Sequence, residues 1–243
     1  MSMRVSIFVT CLVDQLFPKV ALSMATVLER LGYEIDFREE QTCCGQPAFN
    51  SGFREEARTV ARHFLTVFED AEYIVLPSGS CTAMCGHHMA ELFRDDAALL
   101  QRVQRIEPRI WEFSRFLLEV AKVEDVGASF PAKVTYHDSC HALRELGIRQ
   151  GPRRLLSRVR GLELVEMDVA EECCGFGGTF SVKFAEISGA MARTKVDSIR
   201  RTGASAVVSI DSSCLMQIEG AMRREGLDIQ ALHLAEVLAG GEA

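Results

Sequence analysis

"QTCCGQPAF" occupies Gln41–Phe49, and "EECCGFGGTF" occupies Glu171–Phe180. Vicinal cysteines followed at once by glycine are unusual in a soluble chain, and here they occur twice. Working outward, Cys11 precedes the first pair and Cys81 follows it, while Cys140 precedes the second pair and Cys214 follows it. The gaps are 31 and 32 residues before each pair and 36 and 39 after it. Of the nine cysteines only Cys85 lacks a counterpart. Self-similarity at a fixed offset indicates duplication and governs the whole fold assignment.

The flanking segments repeat in the same order. "RVSIFVTC" (Arg4–Cys11) matches "KVTYHDSC" (Lys133–Cys140), and "YIVLPSGSC" (Tyr73–Cys81) matches "AVVSIDSSC" (Ala206–Cys214). "EART" at 56–59 resembles "MART" at 191–194. Val5–Val9 and Ile74–Leu76 are short apolar runs rich in β-branched residues, as buried strands require. Between Pro18 and Gly32, a start and a stop for a helix, Val20, Met24, Val27, Leu28 and Leu31 recur at helical spacing. Tyr33–Phe37 reads as the next strand. The second half repeats this with a helix from Pro152 to Gly161 and the strand "LELVEM" (Leu162–Met167). Strands alternating with helices predict an α/β fold. The expectation is two tandem, pseudo-symmetric half-domains, residues 1–125 and 126–243, each a small, mostly parallel sheet flanked by helices. "QRIEPRIWEFSRFLLEVAK" (104–122) is expected to be helical on both sides of Pro108. "VEDVGASFPAK" (123–133) is the boundary loop.

In each half one cysteine ends the first strand and one ends a later strand. Strand carboxyl ends face the ligand crevice in open α/β sheets, so thiols 70 residues apart can converge there. Gly45 and Gly175 would let each vicinal pair turn over the same point with positive φ. A bulky polynuclear body suits vicinal cysteines, and iron–sulfur clusters are held by thiolates. Zinc held by Cys11, Cys43, Cys44 and Cys81 is the competing reading, although Cys81 and Cys85 alone have the close spacing usual for structural zinc. Cys85, whose counterpart position is Ile218, reads as a packed thiol. His137, Asp138 and His141 flank Cys140. They read either as tuning groups for a thiolate or as a strand-end hydrogen-bonding cluster. His87 and His88 read as surface residues on a helix. Gly175, Gly177 and Gly178 follow a cysteine pair rather than a strand, so they are no dinucleotide loop.

The 243 residues are 48% apolar and 25% charged, an ordinary globular balance, with a net charge of -7. An acidic chain is unlike a nucleic-acid binder. No apolar run approaches the ~20 residues of a membrane span, and "MSMRVSIFVTC" lacks the basic start of a signal peptide. The expected location is the cytoplasm, where thiols stay reduced and nine cysteines suggest metal or redox chemistry rather than disulfides.

Cys, then Cys-Cys-Gly, then Cys, written twice, resembles the cysteine-rich CCG domain family. That family includes the B subunit of heterodisulfide reductase and the C subunit of anaerobic glycerol-3-phosphate dehydrogenase. "VSIFVTCLVDQLFPKV", "CCGQPAFNSGF", "PSGSC", "YHDSCH" and "CCGFGGTFSVK" together are similar to its lactate-utilisation A branch. The resemblance implies an iron–sulfur electron-transfer subunit of a bacterial complex oxidising L-lactate to pyruvate, beside lactate-utilisation proteins B and C. Association with a membrane would be peripheral, through the complex. It implies the ligand sets Cys11, Cys43, Cys44, Cys81 and Cys140, Cys173, Cys174, Cys214, with one [4Fe–4S] cluster per half. The heterodisulfide reductase pattern closes each motif with C-x-x-C. Met84 and Gln217 stand at those positions here, which disfavours a five-cysteine cluster and thiol–disulfide catalysis. No residue set suited to taking hydride or a proton from lactate is visible. The alternatives are a zinc-stapled scaffold of the same complex and a heterodisulfide-reductase-like redox enzyme.

Overall fold

Val5, Ser6 and Ile7 are all buried in the first strand, β1 (Arg4–Ile7). A strand buried on both faces needs cover from both sides, the situation of a parallel sheet between helices. The structure is a computed structural model and describes residues 3–240. β1 pairs with β2 (Glu34–Phe37) and β3 (Tyr73–Leu76), and β3 pairs with β4 (Ile110–Glu112). A second sheet is built from β5 (Lys133–Tyr136), β6 (Glu163–Leu164), β7 (Ala206–Ser209) and β8 (Gln230–His233). The orders are β2-β1-β3-β4 and β6-β5-β7-β8, and every pairing is parallel. The fold is thus α/β with two similar halves.

Helix Pro18–Arg30 carries the crossover from β1 to β2. Pro18 begins it without loss, because the first amides of a helix have no intrahelical partner. Val20, Met24, Val27 and Leu28 form its buried stripe. Gly32, at φ +86°, releases the chain into β2. The equivalent helix of the second half, Gln150–Leu156, is shorter and buries Pro152, Leu155 and Leu156.

Three expectations need correction. Residues 104–122 are not helical throughout: after the turn Glu107–Arg109 the chain forms β4, and helix resumes at Phe113. Ile74, Val75 and Leu76 of β3 pair with Ile110, Trp111 and Glu112, so sheet pairing overrides a helical apolar pattern. Leu162–Met167 yields only a two-residue strand. After Val165 donates once more to the Val134 carbonyl, Glu166 leaves the ladder to pair with Arg153. The "EART"/"MART" match is out of register by one helical turn. Gly45 packs on the Ala57 carbonyl and Val60, whereas Gly175 packs on the Ser188 carbonyl and Met191. In that register the buried residues Ala57, Ala61, Phe64, Leu65 and Phe68 of helix Arg54–Phe68 coincide with Ser188, Ala192, Lys195, Val196 and Ile199 of helix Ala185–Thr202.

One apolar core runs through both halves, from Val5, Val20 and Met24 to Val134, Tyr136, Leu155, Val208 and Leu234. Arg30 reaches across to the carbonyls of Val126, Leu238 and Ala239 at 3.0, 3.3 and 2.7 Å. Among the described residues no helix is long and apolar enough to cross a membrane.

Candidate metal centre

In the order β2-β1-β3-β4 the strand order reverses between the parallel neighbours β1 and β3, and the crevice outside their carboxyl ends is where such sheets bind ligands. Cys11 begins the helix after β1, and Cys81 lies in Gly79–Ala83, the helix after β3. Cys140 and Cys214 stand at the same places after β5 and β7. Helix starts favour anionic sulfur. Each Cys-Cys-Gly turn crosses over this point. Gly45 at φ +86° and Gly175 at φ +89° adopt the left-handed conformation, and each directs its amide to the first sulfur of its pair, Cys43 or Cys173, at 3.4 Å.

The sulfurs gather into two quartets. Cys11 Sγ lies 3.7 Å from Cys43 Sγ, and Cys44 Sγ lies 3.3 Å from Cys81 Sγ. In the second half Cys140 is in contact with Cys173, Cys173 with Cys174, and Cys174 with Cys214. All nine cysteines are free thiols. All eight quartet cysteines line one cleft between the halves, with Gln46, Phe176 and Asp211 among its other walls. The cleft holds about 210 Å³. That is several times the ~30 Å³ share of one water molecule, so the space suits a polynuclear body. Cys85 lies outside it, fully buried in the apolar core with Met84 and Met89, where burial pushes its thiol up.

The protons of each quartet are shared unequally. Hydrogen bonds from Cys11 and Cys44 pull Cys43 down to about 2, while the same contacts push Cys11 and Cys44 up. Cys173 is drawn down to about 2 by Cys140 and Cys174, which rise in turn. Four crowded thiols cannot ionise together by themselves. A metal cation deprotonates coordinating thiols outright and removes that conflict. The donor set, the crowding and the glycine turns therefore fit a thiolate-bound metal body.

The halves meet at this cleft through Asp211, whose role the sequence reading missed. Its Oδ2 accepts from the Ser80 amide at 3.0 Å, the Ser78 hydroxyl at 3.3 Å and the Ser139 hydroxyl at 3.4 Å. Its Oδ1 accepts from the Ser213 amide and hydroxyl at 3.2 and 2.6 Å. One buried carboxylate thus ties the segments before Cys81, Cys140 and Cys214 together. The available signal was the change from Ser78 to Asp211 within the "PSGSC"/"IDSSC" repeat.

The three polar neighbours of Cys140 separate. Asp138 is buried but turns to Arg153, which donates to both its oxygens at 2.8 and 2.7 Å. His141 Nδ1 lies 3.7 Å from Cys140 Sγ, and its Nε2 lies 3.6 Å from Glu145. His137 is fully buried, and neither ring nitrogen has a hydrogen-bond partner of good geometry, although the Ala170 carbonyl lies beside the ring. One of its ring nitrogens and the sulfurs of Cys174 and Cys214 lie within 4.8 Å of one another. Burial, reinforced by the Lys195 ammonium, pushes His137 down to about 3. Lys195, also buried and lowered to about 8 by desolvation, donates to the carbonyls of Val169 and Ala170. His87 is exposed, while half-buried His88 bonds Glu145 across the halves at 2.7 Å.

The chain matches the model of the cysteine-rich CCG domain family over residues 5–86 and 134–219. It is 48% identical to lactate utilization protein A of Bacillus cereus (strain B4264), across 97% of this chain and 98% of that protein. It is 49% identical to the protein of the same name from Bacillus thuringiensis (strain Al Hakam), with the same coverage. A hypothetical protein from Helicobacter pylori of known crystal structure superposes with a TM-score of 0.71 at 11% identity. That match covers 99% of this chain and 49% of the other, a likeness of fold.

Proposed function

The chain belongs to the cysteine-rich CCG domain family, and we propose that it is an iron–sulfur electron-transfer subunit of a lactate-oxidising system. The observation that carries this reading is the pair of sulfur quartets, each drawn from two strand ends and one Cys-Cys-Gly turn, facing a single cleft. The relatives named for lactate utilisation support the physiological setting. In that setting lactate-utilisation proteins B and C are the partners, and lactate oxidation occurs on another subunit.

When bound, an iron–sulfur cluster supplies reversible one-electron storage. The chain's residues hold and insulate it. The four sulfurs of each half provide the anionic cage. The Gly45 and Gly175 amides donate to sulfur, and such hydrogen bonds raise the reduction potential by stabilising the more negative state. Asp211 fixes the spacing of the segments that carry Cys81, Cys140 and Cys214, so that both quartets open on the same space. Phe176 and Pro47 add apolar wall.

Anaerobic purification followed by iron, sulfide and zinc analysis tests the proposal. Iron and acid-labile sulfide of about four each per half are expected, the stoichiometry of a [4Fe–4S] cluster. Zinc without sulfide would instead establish the scaffold reading.

A further inference from the structure

The two quartets have different surroundings. Beneath the first, Phe8 packs edge-on against Phe64 with ring centres 5.3 Å apart. His137 stands at the strand position of Phe8, their amides donating to the Val208 and Val75 carbonyls, and Lys195 stands at the Phe64 position in the helix register set by the glycine contacts. A dry aromatic pair in one half is a polar pair in the other, equally buried.

A neutral imidazole offers one donor and one acceptor, and a buried polar atom without a partner is destabilising. The protein supplies no partner of good geometry, and the Ala170 carbonyl beside the ring can serve one N–H at most. The Ala170 carbonyl beside the ring already accepts from the Asp138 amide at 3.0 Å and from Lys195 Nζ at 3.3 Å, which fills its two lone pairs. Lys195 also donates to the Val169 carbonyl, and no bond runs from it to the ring. The other near groups are the sulfurs of Cys174 and Cys214, which have no proton to offer the imidazole lone pair once they coordinate a metal. A metal ion satisfies that lone pair.

We propose that His137 is a nitrogen ligand to the metal body held by Cys140, Cys173, Cys174 and Cys214, so that the two centres differ in donor set. The first half offers sulfur only, and the second offers sulfur and one imidazole. This rests on the reading of the quartets as metal sites. It adds that they are chemically unequal: four sulfurs in one half, and four sulfurs with one neutral imidazole in the other.

The test is pulsed electron paramagnetic resonance on reduced, anaerobically iron-loaded full-length protein grown with either ¹⁴N- or ¹⁵N-histidine. The expected result is one strongly coupled nitrogen that changes with the isotope. The signal is lost in His137→Phe, which copies Phe8, and kept in His141→Gln. Iron in both halves without a histidine coupling, or a coupling that His141→Gln removes, overturns the proposal and leaves the electron-transfer reading standing. If zinc alone binds, the electron-transfer reading fails, and X-ray absorption at the zinc edge decides the ligand. Nitrogen in the zinc shell that disappears in His137→Phe upholds the assignment, and a sulfur-only shell removes it. The wild-type spectra are decisive even if a variant does not fold.

Discussion

Gly45 and Gly175 hold equivalent turns, yet their tolerance for a side chain differs. A Cβ at Gly45 would meet Val60 at 3.4 Å, an ordinary contact, so only the left-handed backbone opposes it. Gly45→Ala should therefore cost about 1–2 kcal/mol. A Cβ at Gly175 would lie 2.6 Å from the Ser188 carbonyl oxygen and 3.0 Å from Met191 Cβ. Helix Ala185–Thr202 would have to retreat, taking Lys195 with it. Urea denaturation should show Gly175→Ala losing clearly more stability than Gly45→Ala, and equal losses would contradict the packing described. Both glycines were legible in the sequence as turns, because vicinal cysteines can face one body only if the chain bends there. The separate fates of His137 and Asp138 were not. Neighbouring strand-end residues face opposite sides, and which side held the thiols depended on a sheet register that the sequence did not display.

Among the elements, β4 shows how a short strand hides. Ile110, Trp111 and Glu112 stand between helical segments, and only the bare edge of β3 makes them a strand. Its last residue is the buried carboxyl Glu112, whose Oε2 accepts from the Ser114 amide at 2.9 Å and the Arg115 amide at 3.2 Å. Burial outweighs these bonds and raises Glu112 from 4.5 to about 7. The folded protein therefore keeps a proton that the unfolded chain has released between those values. The associated stability is complete below about pH 4.5 and is lost as pH rises through 7, on the order of 3 kcal/mol in all. Urea midpoints from pH 4.5 to 8 should show wild type losing ground to Glu112→Gln as pH rises, and parallel curves would contradict this. The main strands β1, β3, β5 and β7 were legible because they are apolar runs ending in cysteine. The slipped match of the helices after the cysteine pairs has a different cause. Similar letters recur one turn apart on a helix, and only contact with the turn glycine fixes the register.

At the scale of the whole molecule, duplication explains both the likeness and the difference of the halves. Each half repeats the strand order that puts a crevice between its first and third strands, so the cysteine spacing revealed the fold and the sulfur convergence together. The sequence did not reveal that the two crevices become one cleft. That depends on Asp211 accepting from serines before Cys81 and Cys140, and on a core shared from Val5 to Leu238. The bonds from Ser78 and Ser80 to Asp211 span 133 and 131 positions and leave no local pattern. The -7 net charge, with anionic sulfur cages added, makes a partner with a basic docking face the expected neighbour. The central claim is that sulfurs distant along the chain enclose one inorganic body in each half. Diffraction at the iron absorption edge from crystals grown without oxygen tests it most directly. The account predicts iron within bonding reach of Cys11, Cys43, Cys44 and Cys81, and again of Cys140, Cys173, Cys174 and Cys214. Iron bound elsewhere, or quartets that remain free thiols in iron-loaded protein, would contradict it.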